Sequence, residues 1–242
     1  MQRRPFVIGL GISCAARAVR ADVSRTLGER VEISPTTLSL SGPGSTTTCT
    51  VLNNANATTA SQIRLRQWYQ SYGQDVLAET SDVVASPPFI SLDPGTRQIV
   101  RVANLTAQPG ASEMCYRLLL NELPSAGSLT NSGIAVLIAF SLPVFVAGTD
   151  AAPPQLTGQF ASGGDGRPVL RMINGGDIHA RLADISYAVS GQVIFRLPGL
   201  AGYVLPHSTR DLPLPVIQPP PPGGVLLGQT QLQLVPTQID LR

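Results

Sequence analysis

The side chains able to do covalent or metal chemistry are few in this 242-residue chain: two histidines, three cysteines and fifteen carboxylates. Their spacing matters more than their number. Nucleophilic hydrolysis needs a serine or cysteine activated by a histidine base, and the sequence holds neither a GxSxG turn nor an HExxH helix, nor a phosphate-cradling glycine loop. Any triad would have to recruit His179 or His207, and a lone histidine in strand-rich text reads as a surface or turn residue. Zinc requires closely spaced thiolates or imidazoles. Cys49 and Cys115 lie far apart in sequence, and both histidines sit in the second half. Glu79 and Asp82, which could serve as an acid and base pair, fall in loop-like text and read as solvated. No catalytic set, metal site or cofactor site is therefore expected.

What remains is chemistry of the backbone and of apolar surface. Residues 133–146, GIAVLIAFSLPVFV, run for fourteen positions without a charge. Extended, they project Ile134, Val136, Ile138 and Phe140 from one face and Ala135, Leu137, Ala139 and Ser141 from the other. The run is shorter than the roughly 18 apolar residues a membrane helix needs, and Pro143 would break a helix. A strand wanting apolar company on both faces is the expectation. Two roles fit it: a central strand of a sandwich, or an edge that completes another protein's unfinished core by strand addition.

The elements that must position such a strand are legible in composition. Twenty-one prolines and twenty-three glycines imply short strands joined by many turns, and the balance of 17 basic against 15 acidic residues gives no electrostatic reason to expect nucleic acid or an acidic surface as partner. The chain reads as all-β. Arg3 and Arg4, an apolar run over residues 6–16 and the small residues of ARAVRA describe a secretory signal over residues 1–21, whose removal would take Cys14 with it. No other segment is expected to enter a membrane. In an oxidising compartment Cys49 and Cys115, both in strand-like text, would form a disulfide; two unpaired buried thiols are the alternative.

Strand-like stretches recur from Val31 onward: 31–41, 46–52, 62–72, a short one at 83–84, 97–105, 114–123 and 133–146. Turn signals such as Gly42-Pro43-Gly44, Asn53-Asn54 and Asp93-Pro94-Gly95 separate them. Seven strands at this spacing spell an immunoglobulin-like sandwich over residues 22–147. GTDAAPP, residues 148–154, reads as a stiff linker. A second, smaller sandwich is expected over 155–242, with strands at 156–161, 168–173, 180–189, 191–197, 203–206, 210–214 and 229–235. Within it, Pro219–Pro222 reads as a rigid loop of polyproline II character.

The motifs of the first half fall in a recognisable order. They are Ser34-Pro35-Thr36, Val51-Leu52-Asn53-Asn54, Gln67-Trp68, Ser86-Pro87-Pro88-Phe89, Leu92-Asp93-Pro94-Gly95 followed by Gln98-Ile99-Val100-Arg101, and Tyr116-Arg117-Leu118 through Asn121-Glu122-Leu123-Pro124. Over residues 33–146 the chain resembles the N-terminal domain of the periplasmic chaperones of chaperone–usher pilus assembly. Met172-Ile173-Asn174-Gly175-Gly176 and Tyr203-Val204-Leu205-Pro206 are similar to that family's second domain. The resemblance implies a periplasmic, non-enzymatic protein of two tandem immunoglobulin-like domains. Its partners would be pilin-type subunits, which lack the last strand of their fold, and an outer-membrane usher. Residues 133–146 would be the lent strand, with Ile134, Val136, Ile138 and Phe140 facing the subunit and Leu137 facing the chaperone's own core.

The chain departs from the family at two places. Members resembling it carry a basic residue on the first strand and another at the end of the lent strand, which grip the subunit's terminal carboxylate; here Thr37 and Pro143 stand there. This places the chain nearer the branch serving spore-coat-like pili. Arg117 and then Arg101 are the candidate replacements, with a structural ion pair such as Arg101 to Glu113 as the competing role. The rival reading is a secreted two-domain adhesion or structural module without a client, in which 133–146 pairs internally.

Overall fold

The computed structural model describes residues 31–106, 110–124, 136–233 and 235–242. The expected signal (1–21), Cys14 and Ile134 lie outside these residues. The described residues form seventeen strands and no helix. Ten belong to the first domain: β1 (Val31–Ser34), β2 (Leu38–Leu40), β3 (Thr46–Asn53), β4 (Thr59–Ser71), β5 (Gln74–Ala78), β6 (Val83–Ser86), β7 (Phe89–Leu92), β8 (Arg97–Asn104), β9 (Met114–Glu122) and β10 (Ala139–Val146). One sheet has the order β1-β3-β8-β6; the other runs β2-β10-β9-β4-β5, with β7 also on β4. Alternating side chains of both sheets meet in one core, including Val51, Val100 and Val102 against Ile63, Leu118, Leu120, Leu142 and Val144.

The expected first strand is two. Pro35 has no N–H for a ladder, and after it the chain crosses from β1, antiparallel to β3, to β2, parallel to β10. The sequence reading also missed β5. Tyr72 (φ 51°) and Gly73 (φ 75°) make a two-residue turn with both residues left-handed, so β4 folds back on itself in a hairpin. A side chain at Gly73 would meet Asp211 of the second domain, since a Cβ there would lie 2.5 Å from the Asp211 carboxyl carbon. Residues 136–138 precede β10 and are not themselves part of a strand.

The second domain holds β11 (Leu156–Ser162), β12 (Pro168–Asn174), β13 (Ala180–Val189), β14 (Gln192–Val204), β15 (Ser208–Pro213), β16 (Val225–Gln229) and β17 (Thr237–Leu241). They form one hydrogen-bonded order, β14-β13-β16-β17-β11-β12-β15, around a core of Leu170, Met172, Leu182, Ile185, Tyr187, Phe195, Leu212, Leu226 and Ile239. Of the strand expected at 229–235, residues 230–233 form a turn instead. The N–H groups of Thr230 and Gln233 each donate to the other's carbonyl, and strands lie on either side. The proline run is a loop pinned to β13, the Tyr187 hydroxyl donating to the Pro221 carbonyl at 2.6 Å.

The cysteines correct the disulfide expectation: both are unpaired and buried. Cys49 points into the first domain's core, whereas Cys115 joins Trp68, Phe145 and Leu205 in a separate cluster between the domains. Strand alternation explains the separation. On β9 it is Tyr116, Leu118 and Leu120 that face the core, so Cys115 must face away from it.

Candidate functional site

The site is built on the two faces and the outer edge of β10. Its even-numbered residues Leu142, Val144 and Val146 belong to the domain's own core, and Phe140 packs half-buried against it. Upstream the same face emerges, with Ile138 half-buried and Val136 49% exposed. The apolar row that closes this domain's core thus continues beyond it. Leu137 is 46% exposed, which corrects the expectation that it faces the chaperone's core; Leu142 and Val144 do so instead.

The odd-numbered residues turn toward the second domain. Phe145 stacks on His179, with ring centroids 3.6 Å apart and planes 3° apart, and tilts against Trp68 and Tyr203. Around this apolar plug runs a polar clamp. Glu113 accepts from the His179 N–H at 3.0 Å and meets its Nδ1 at 2.6 Å, so it does not pair with Arg101 as had been considered. Asp177 accepts from the Ser112 hydroxyl at 2.7 Å and meets His207 Nε2 at 2.7 Å; these bonds hold its carboxyl at about 2, well below the usual range. Gln70 bridges to the second domain twice, donating to the Tyr203 carbonyl and accepting from the Leu205 N–H. The expected linker is also tied down, since Thr149 N–H donates to Gly110 and Ala152 N–H to Asp177. Both histidines are therefore clamp residues. Sequence reading took them for isolated surface positions because their partners, Glu113, Ser112 and Phe145, lie in the other domain.

The outer edge of β10 is only partly covered. β2 pairs with it at Val144, Phe145 and Val146, and among the described residues no strand pairs with the outward groups of Ala139 and Ser141. The direction of the peptide groups follows from two bonds. Glu122 N–H donates to the Ile138 carbonyl, and Ala147 N–H to the Leu40 carbonyl. Even-numbered residues thus turn their N–H and C=O toward β9, and odd-numbered ones turn them outward. Ala139 and Ser141 present outward donors and acceptors to an open edge. Pro143 also faces outward but has no donor.

Arg117 stands beside this edge. In register it is opposite Pro143 on one side and Arg66 on the other, and one step back from Leu38↔Val144 brings Thr37 level with Pro143. The two positions where the resembling family carries basic residues therefore share one row with Arg117, the cation lying one strand further in. Two arginines directly opposed would repel. Arg66 is neutralised by Glu79 at 2.7 Å, while the Arg117 guanidinium lies 3.6 Å from the Trp68 ring centroid and 5.4 Å from that of Tyr203. Neighbouring charges pair elsewhere: Arg171 grips Asp211 through two 2.8 Å bonds, and Arg210 meets Asp75 at 3.3 Å. Among the described residues Arg117 has no ion-pair partner within bonding distance, and burial lowers its pKa. Its Nη1 makes only a long 3.4 Å contact with the outward carbonyl of Ser141. Arg101 is exposed on β8 in the other sheet, opposite Thr48 and Ser86, remote from this row.

No metal-holding cluster of histidine, cysteine or carboxylate side chains occurs among the described residues, and no helix is long and apolar enough to cross a membrane.

A comparison of the sequence with curated proteins finds no match. Solved structures resemble the fold over both domains. The chaperone of a complex with a tip adhesion subunit, from the archaic chaperone–usher Csu pili of Acinetobacter baumannii, superposes with a TM-score of 0.69 at 21% identity, covering 87% of this chain and 97% of that one. The CupB2 chaperone of Pseudomonas aeruginosa gives 0.59 at 16% identity over 87% and 100% of the two chains. A Salmonella enterica structure of SafA pilin with the SafB chaperone gives 0.57 at 16% identity over 87% and 96%. The family profile described as pili and flagellar-assembly chaperone, PapD N-terminal domain, matches residues 30–150. That match spans β1 to β10 with the open edge and Arg117, and the chain belongs to this family of pilus-assembly chaperones.

Proposed function

We propose that this protein is a periplasmic, non-enzymatic chaperone that holds pilin-type subunits by lending them β10 and the residues before it, and then passes them to an outer-membrane usher. The observation that carries this reading is the outer edge left open among the described residues at Ala139 and Ser141, joined to an apolar face that runs on from the domain's own core through Phe140, Ile138 and Val136. A strand added there would complete its ladder on Ala139 and Ser141, and the even-numbered side chains would enter the partner's core; Ile134, upstream, would extend the row. Each large side chain so buried contributes about 1.5–3 kcal/mol. A strand on this edge must stop near Pro143, because β2 occupies the edge beyond. A chain terminus arriving there meets the Arg117 guanidinium, which has no ion-pair partner among the described residues and suits a terminal carboxylate. Arg117 is accordingly the proposed anchor. Arg101, in the other sheet, is set aside.

The test is capture of a pilin-type subunit coexpressed with this protein. Val136→Asp and Ile138→Asp should abolish copurification while leaving thermal unfolding of the chaperone unchanged. Copurification that survives both substitutions would sink the strand-lending reading, whereas no copurification even with the unaltered protein would favour an adhesion module without a client.

A further inference from the structure

We propose that Glu122 is a positioning residue for subunit capture: its carboxylate takes the Ile138 N–H and holds the start of the lent segment in line with β10 before a subunit arrives. The inference rests on the strand-lending reading above. Carried one step past Ala139↔Asn121, the register of β10 on β9 sets Ile138 opposite Glu122. A pair at this level is of the hydrogen-bonded kind, in which two residues exchange both backbone bonds. Here one bond is made by the backbone and the other by a side chain. Glu122 N–H donates to the Ile138 carbonyl at 2.9 Å, whereas Ile138 N–H donates to the Glu122 carboxylate, reaching Oε2 at 3.0 Å.

Alternation puts this carboxylate where the core would continue. Tyr116, Leu118 and Leu120 send their side chains into the core, and the next residue of that parity is Glu122, half-buried where a further apolar side chain would extend the row. A carboxylate there is costly unless it accepts hydrogen bonds, and one that it accepts comes from the lent segment. β9 also has no later rung to offer. The Leu123 N–H donates to the Ala60 carbonyl on the β4 side, and the next residue of the parity that faces β10 is Pro124, which has no N–H. Ile138 is thus the last residue whose carbonyl a β9 amide can hold, and Leu137 and Val136 before it are exposed. The amide held by Glu122 belongs to one of the residues proposed to enter the subunit. A segment already ordered presents its apolar row without first losing backbone freedom, so the advantage falls on the rate of capture; in the finished complex the subunit itself orders the strand.

The experiment follows capture of a pilin-type subunit that has been coexpressed with this protein, separated from it in denaturant and diluted into excess chaperone. Glu122→Leu continues the apolar row of β9, which should keep the domain folded, and removes the acceptor. Glu122→Gln keeps an acceptor oxygen without the charge. The Leu variant should capture the subunit about tenfold more slowly, the cost of ordering roughly one residue's backbone, while being no less stable to urea than the natural protein. Its Ile138 amide should exchange about tenfold faster in the free protein. The Gln variant should recover most of both rates. A Leu variant that captures at the natural rate, or whose Ile138 amide stays as protected as before, overturns the inference. A capture rate that falls only in step with stability marks a merely structural role and overturns it as well, and a Gln variant as slow as the Leu variant traces the effect to charge, with the same result. Val136→Asp and Ile138→Asp separate the two readings. If they abolish capture while Glu122→Leu leaves its rate unchanged, strand lending stands and the role of Glu122 falls; capture that survives both aspartates removes the two together.

Discussion

At the residue scale, the polar side chains that looked isolated in the sequence act in pairs across the two domains. Asp177 is the clearest case, because hydrogen bonds from Ser112 and His207 lower its pKa from 3.8 to about 2. A carboxyl depressed on folding stabilises the native state above its unfolded pKa, and that contribution is lost as pH falls through the folded value. Wild type should therefore exceed Asp177→Asn in stability at neutral pH, and the gap should close between about pH 4 and pH 2. Urea unfolding of both proteins across that range checks the sign; a gap that widens toward acid would contradict it. The cysteines give a second residue-scale outcome. Both thiols are buried, and burial raises their pKa values, Cys115 well above its ordinary range. Mature protein unfolded without reductant should take up two equivalents of thiol label and the native protein none. Absence of label after unfolding would restore the disulfide.

At the scale of elements, β10 does different work at its two ends. Its later half closes the domain's core, so Leu142→Ala should cost about 2–5 kcal/mol through a cavity beside Leu118 and Val144. Leu137→Ala, at an exposed position, should stay within about 0.5 kcal/mol of wild type. Denaturant titrations separate the two. A destabilised Leu137 variant beside a neutral Leu142 variant would reverse the assigned parity. The alternation of residues 133–146 was legible in the sequence because charge is absent and Pro143 forbids a helix. The point at which the strand leaves its own domain was not legible, because it depends on where β2 begins. The β4–β5 hairpin was missed for a related reason: Tyr72-Gly73 is an unusual pair for a turn whose residues are both left-handed. The strand expected at 229–235 failed because alternation of Leu and Gln there mimics a half-buried strand, while the chain makes a tight turn. Trp68 and Arg117 were each visible as motif residues. Their contact was not, since it arises only from the pairing of β4 with β9.

At the scale of the whole molecule, two all-β domains are locked by Phe145 on His179, by the Glu113 and Asp177 bonds and by Gln70, so that the row holding Arg117 lies at their junction. The clamp fixes the base of β10 while its upstream edge stays open. In energetic terms the described residues leave ladder groups and apolar side chains uncovered at one edge, an arrangement most β proteins cover or blunt. Here Pro143 and the short β2 limit how far that edge extends. The central claim is that a subunit's strand covers it. The most direct measurement is hydrogen exchange at the individual amides of β10, in the free protein and in complex with a captured pilin-type subunit. The outward amides of Ala139 and Ser141 should exchange fast in the free protein and become protected in the complex, while Phe145, already covered by β2, should change little. A stable complex in which Ala139 and Ser141 exchange as fast as in the free protein would contradict strand lending.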